Sequence, residues 1–137
     1  MRVILLIMIG LSLLHAEFTK SGDIVSDSVS GLEWQDDVVG SSMLWEAAIT
    51  QCEDLTLGGH SDWRLPNINE LTSIVDRSKV NSAITGFANT AQYSVYWSST
   101  TYEYYKTRVW TVRFSTGSSS DYSKGNNNYV RCVRDGQ

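Results

Sequence analysis

The sequence predicts an α+β fold in which helices pack against an antiparallel sheet, and three observations carry that expectation. DIVSDSVSGLEWQDD reads as a hairpin near the start of the chain. Two stretches, SSMLWEAAITQCEDLTLGG and RLPNINELTSIVD, place apolar residues at helical spacing. VYWSST, RVWTVRF and YVRCVR then read as strands to the end. Strands and helices segregated in this way, rather than alternating, define α+β architecture.

The first stretch is expected to leave the mature protein. Arg2 precedes an apolar run over residues 3–10 that continues through Leu11, Leu13 and Leu14. That is signal-peptide length and short for a membrane-spanning helix, which needs ~20 residues. Leu14-His15-Ala16 puts a small residue at the cleavage position, although Leu at −3 is less usual than Ala. Residues 1–16 are therefore expected to be a signal peptide and 17–137 a single domain. An uncleaved N-terminal anchor is the alternative. No cysteine follows the apolar run to accept a lipid. The expected compartment is periplasmic, cell-surface or secreted, with no stable membrane span after cleavage.

In the hairpin, Ile24 and Val25 begin one strand, Asp27 to Gly31 turn, and Leu32 and Trp34 alternate inward on the next. In the first helix Leu44, Ala47, Ala48, Cys52 and Leu55 form the expected apolar stripe, Ser41 or Ser42 caps the start, and Gly58-Gly59 stop it. Asn67 followed by Glu70 is a capping-box pattern that opens the second helix. Leu71, Ile74 and Val75 make that helix's apolar face. Residues 79–92 form an irregular connection. Trp110, Val112 and Phe114 are expected on one strand face, and Val130 with Cys132 on another.

Only two cysteines are present, Cys52 and Cys132. In an exported protein an even pair is most simply a disulfide. The alternative, two ligands of a metal site, lacks partners, because His60 is the only histidine after the signal.

The expected mature charge is −5, which argues against general affinity for nucleic acid. The charge is uneven. Residues 17–96 carry four Lys/Arg against twelve Asp/Glu, whereas from Trp97 onward there are six against three. All seven tyrosines lie at or after Tyr93. The C-terminal third is chemically a different surface.

GLEWQDD, WEAAITQCEDL, DWRLPNINEL, YWSST and YVRCVR, in this order, resemble the bacterial Lcl C-terminal domain family. The likeness covers essentially the whole expected mature chain. It implies relation to C-type-lectin-like folds and to formylglycine-generating (sulfatase-modifying) enzymes. It further implies two helices on a twisted antiparallel sheet, termini close together, and a disulfide from the first helix to the last strand. The family's namesake is a collagen-like surface adhesin that binds sulfated glycans. This sequence has no Gly-X-Y segment, so that ligand does not carry over with the likeness. The formylglycine-generating enzymes use additional reactive cysteines near the C-terminus, which are missing here, and with both thiols in a bridge that chemistry has no nucleophile. The EPN-type and WND triplets with which lectins hold calcium are also missing, so neither a metal nor another cofactor is expected.

Other catalysis finds little support. No G-x-S-x-G elbow presents a serine to His60, which reads as a turn residue. Asp36-Asp37 and Glu53-Asp54 read as solvated surface, since adjacent carboxylates do not face each other across a cleft. Trp63 is expected to fill core and Arg64 to form an ion pair or bond carbonyls. A metal role for Asp62 or Asp76 has no cluster behind it.

Binding is better supported. Tyr102, Tyr104 and Tyr105 follow YWSST, and Tyr122, Asn126, Asn127, Asn128 and Tyr129 precede the last strand. Tyrosine with Ser, Gly and Asn is the mixture from which recognition loops are built. Lys106, Arg108, Lys124 and Arg131 add positive charge suited to anionic groups. The sequence thus predicts a non-enzymatic binding or adhesion module for a glycan or acidic surface polymer. A protein-binding display domain, similar to the variable proteins of diversity-generating retroelements, is the alternative. A degenerate enzyme or a structural subunit of an envelope complex comes third.

Overall fold

In a computed structural model, which describes residues 17–79, 81 and 83–136, the Asp27 carboxylate organises the expected hairpin. It accepts the Val29 N–H at 2.9 Å and the Ser30 hydroxyl at 2.7 Å. Gly31 follows at φ +74°, a left-handed conformation that side chains other than glycine rarely adopt. The turn joins β2 (Ile24–Asp27) to β3 (Leu32–Gln35). A further strand, β1 (Phe18–Ser21), pairs with β2. Its FTKS segment is short and largely exposed, so it carries no apolar alternation to announce it. The expected signal peptide lies outside the described residues.

Helix α1 (Trp45–Glu53) starts one turn position later than its apolar pattern suggests. Leu44 is its N-cap and no side chain caps it, so neither Ser41 nor Ser42 performs that role. The inward stripe is Trp45, Ala48, Ile49 and Cys52, whereas Leu44 and Ala47 face water. Two tethers set this rotation. The Trp45 indole donates to the Ser98 carbonyl at 2.9 Å, and Cys52 is bonded to Cys132. The helix ends at Glu53, well before Gly58. Helix α2 (Ile68–Ser73) has the expected capping box in both directions: Asn67 accepts the Glu70 N–H at 2.8 Å and Glu70 accepts the Asn67 N–H at 3.0 Å.

The strands form two antiparallel sheets rather than the single sheet expected. One runs β1-β2-β3-β7, the other β4-β5-β6, with β4 at Val95–Thr101, β5 at Arg108–Arg113, β6 at Ser118–Ser123 and β7 at Val133–Asp135. The last strand does not return beside β6. Its approach is bonded on the way: Asn128 exchanges backbone bonds with Met43, Tyr129 makes a parallel bridge to Tyr96, and Val133 then pairs with Trp34. First and last strands therefore share a sheet.

The three-stranded sheet is covered on both faces. Tyr96 opposes Val112, and both join Leu71 of α2 and its C-cap Ile74 in one buried cluster with Val25, Trp34, Phe114 and Val133. Their neighbours Trp97 and Val109 point the other way, into a second cluster with Ala48, Cys52, Trp63, Leu65, Val130 and Cys132. Burial on both faces explains why VYW and VWTV lack polar alternation. Cys52 and Cys132 join with Cα atoms 5.4 Å apart, tying α1 to the segment that enters β7. Among the described residues no helix is long and apolar enough to cross a membrane.

Candidate functional site

The connection between β4 and β5 is a bonded turn. Tyr102 N–H donates to the Arg108 carbonyl at 2.9 Å, and Arg108 N–H to the Tyr105 carbonyl at 3.0 Å. This places Tyr102 at the centre of an aromatic group. Its ring centroid lies 5.4 Å from Tyr104, 6.3 Å from Tyr105 in a stacked arrangement, and 5.2 Å from Trp110 edge-on. Tyr104 and Tyr105 are 74% and 63% exposed. Trp110 is expected on one strand face with Val112 and Phe114. It shares their strand face by alternation, but it is half-exposed, lies outside the buried cluster and is covered by Tyr102. Its indole reaches the Glu103 carboxylate at 3.5 Å. YEYY contains both Tyr104 and Glu103, but only the turn brings Trp110 to them.

The residues expected in a recognition loop before the last strand lie only partly in one. Ser118–Ser123 is β6, an edge strand paired with β5 along its length. Water faces much of it, so polar residues suffice. Beyond it, Lys124 N–H donates to the Thr107 carbonyl at 3.0 Å, which brings the 124–127 turn to the same sheet end as the tyrosines. Asn126 and Asn127 are exposed there. Lys124 lies with its ammonium 4.4 Å above the Trp45 ring, beside an open groove lined by Leu44, Glu46, Ala47 and Gly125. Trp45 was missed as a surface partner because helical spacing marks it only as apolar.

Three expected contact residues instead belong to the body of the domain. Tyr122 packs on the second cluster and its hydroxyl accepts from Arg113 at 3.4 Å. Asn128 is 6% exposed and fixed to Met43 through its backbone. Tyr129 is half-buried, its ring 5.9 Å from Tyr96. Of the cations, Arg108 is paired with Asp121 through its Nε and donates Nη2 to the Asp121 carbonyl at 2.9 Å. Lys106 is exposed in the turn. Arg131 is not at the surface at all.

Arg131 is 3% exposed, stacked 4.4 Å from the Phe87 ring, and donates to Thr90 Oγ1 at 3.1 Å and to the Asn89 carbonyl. It faces Asp36, which corrects the solvated reading of that carboxylate: Asp36 is 1% exposed. Asp36 accepts from Lys20 Nζ at 2.6 Å and from the N–H groups of Ala88 and Asn89 at 2.7 and 2.9 Å. Burial pushes its carboxyl up, but Lys20, the two N–H groups and the Arg131 charge together hold it below the ordinary value. The 83–92 part of the expected connection is thereby anchored. Asp37, by contrast, accepts from the Gln35 side chain at 2.9 Å and stays partly exposed.

The Asp62-Trp63-Arg64 segment holds structure. Trp63 is 2% exposed. Arg64 makes a two-pronged bond to Glu70, 2.7 Å on each arm, and reaches Asp135 at 2.8 Å. Asp62 pairs with Arg134 at 2.7 Å, and Arg134 also holds Glu33 at 2.6 Å. His60 closes a turn with Leu57 and offers its carbonyl to the Trp63 indole at 3.1 Å. Asp76 is engaged with Ser78 and Thr85. Among the described residues no group of three His, Cys, Asp or Glu is placed to hold a metal, and neither cysteine is free.

Among the described residues, two helices, two antiparallel sheets and a helix-to-last-strand disulfide define a stapled α+β domain that gathers aromatic side chains at one sheet end. The Lcl C-terminal domain model matches residues 23–134, and the chain belongs to that family. No curated protein matches it.

Proposed function

We propose that this chain is an exported, non-enzymatic binding module that attaches to a glycan through the turn end of its three-stranded sheet. The observation that carries this reading is the exposure of Tyr104 and Tyr105 on a turn whose backbone is internally bonded. Rigid, exposed aromatic side chains supply contact area at small entropic cost. We read the fold as C-type-lectin-like, supported by first and last strands in one sheet and by the disulfide from α1 to the last strand. Export is supported by the apolar start of the sequence and by the disulfide. A non-catalytic role is supported by the engagement of both cysteines with each other and of His60 in a turn.

A glycan array with the purified mature protein tests the reading. Hits that vanish in Tyr104→Ala/Tyr105→Ala support it. Hits that persist in that variant, or a hydrolase or oxidase activity abolished by His60→Ala in folded protein, would overturn it. The display-domain alternative draws on β6, an edge strand with Ser118, Ser119 and Ser120 exposed beside the same turns. A near-duplicate of the gene's 3′ end, differing at adenines, would decide for it.

A further inference from the structure

Half of the positive charge of the C-terminal third is held by carboxylates. Arg108 is bound to Asp121, Arg131 is buried against Asp36, and Arg134 sits between Glu33 and Asp62. Arg113 donates to the Tyr93 carbonyl and towards the Tyr122 hydroxyl, and Lys124 lies on the Trp45 ring. Of the six Lys/Arg from Trp97 onward, Lys106 alone is exposed with no hydrogen bond, ion pair or ring contact among the described residues. An acidic polymer needs several cations presented in a row; Arg113 and Lys124 keep their charge but are drawn onto a carbonyl and a ring, and only Lys106 projects freely.

The aromatic group has carboxylates beside it instead. Glu103 lies against the Trp110 indole, and Asp121 opposes Trp110 across the β5–β6 ladder. Burial, and then the charges of Asp121 and Glu103, push the Tyr102 phenol up, as a negative local field should. The rings themselves are in contact: centroid separations of 5.2 to 6.3 Å leave no enclosed space among them. That geometry does not suit a quaternary ammonium group, which sits inside a box of rings. It suits a flat ligand with an apolar face. The C–H face of a pyranose packs on the electron-rich face of a phenol ring, and its edge hydroxyls donate to carboxylate oxygens.

Resting on the glycan-binding reading above, we propose that the ligand is an uncharged glycan whose pyranose rings lie on the exposed rings of Tyr104 and Tyr105, with the Glu103 carboxylate accepting from their hydroxyls. Ligand charge and site position are separable in one calorimetric experiment. The mature protein is titrated with chitohexaose, cellohexaose, mannohexaose and maltohexaose, and in parallel with heparin and polygalacturonate. Each titration is run at about 50 mM and about 500 mM NaCl, which brackets physiological screening. At least one neutral hexasaccharide should bind, with affinity changing less than about twofold between the two salts, since no charge pairing is involved. Tyr104→Ala/Tyr105→Ala should weaken it by about tenfold or more, on the scale of stacking contacts, and Glu103→Gln by about threefold, since the amide oxygen still accepts and only the charge assistance is lost. Both tyrosines are exposed, so a matching melting curve is expected for the variant. Failure of every neutral sugar overturns the proposal. Salt-sensitive heparin binding, lost with the tyrosines and with Lys106→Ala, overturns the uncharged ligand while upholding the binding module. Binding indifferent to the tyrosines overturns both.

Discussion

The Arg131 guanidinium lies 3.5 Å from the Asp36 carboxylate inside the molecule, although the two residues are 95 positions apart. The pair joins the end of β3 to the approach of β7, and through Ala88 and Asn89 it holds the irregular 83–92 segment. Removing one member strands the other. Asp36→Ala should therefore cost about 3–5 kcal/mol, the range for breaking a buried ion pair. Urea unfolding checks this, with Asp37→Ala expected within about 0.5 kcal/mol as an ordinary surface change. Equal effects of the two would remove Asp36 from its central place.

Acid should destabilise the protein through the same carboxylate. Asp36 is held below its ordinary value of 3.8, and Glu70, bonded first by Arg64, below 4.5. In both cases the unfolded chain takes up the proton at higher pH than the folded one. The contribution is therefore whole above the unfolded values and is lost as pH falls through them to the folded values. Stability measured from pH about 6 down to about 2 should fall below about 4.5, and Asp36→Asn should flatten that fall. An unchanged acid slope in the variant would contradict the assignment.

The Cys52–Cys132 bridge spans a sequence separation of 80 residues. Closing a loop of that size stabilises by about 4–5 kcal/mol in the chain-entropy account. Non-reduced mature protein should have an intact mass two hydrogens below the dithiol and resist alkylation. Cys52→Ala/Cys132→Ala should lower the urea midpoint by the corresponding amount. Two alkylatable thiols in the folded protein produced under oxidising conditions would contradict the bridge.

Gly117, in the turn between β5 and β6, should not tolerate a side chain. It holds φ +75°, and a Cβ there would lie 2.7 Å from Val75 Cγ1 and 3.3 Å from the Ala83 methyl. Left-handed strain and overpacking each cost about 1–3 kcal/mol. Gly117→Ala should therefore lose at least about 2 kcal/mol in urea unfolding, whereas Ser119→Ala on the exposed strand should change little.

Local chemistry in this sequence specified local structure. Asn67 and Glu70 are three residues apart, so their reciprocal cap is complete before any tertiary contact forms, and the α2 start is where the pattern puts it. Asp27 and Gly31 likewise write their turn into five consecutive positions. The two cysteines were legible as a pair because their number and the expected compartment left one simple partner. Family membership was legible from motif order across residues 23–134.

Tertiary structure decided what depends on partners far away in sequence. Polarity alone cannot separate a solvated aspartate from one desolvated by a lysine, two backbone N–H groups and an arginine, so Asp36 and Arg131 read as surface and are buried. Strand alternation assigned Trp110 to a face but not to a depth along it, and only the fold of the 102–107 turn exposed it beside Tyr102. The six residues of β6, five of them Ser or Asp, carry no apolar period, because an edge strand takes its register from the hydrogen bonds of β5 rather than from burial. The cations of the C-terminal third were countable in the sequence. Whether they were free to meet a ligand depended on which carboxylates, carbonyls and rings the fold brought to them, since charge becomes a binding surface only where it is left unpaired.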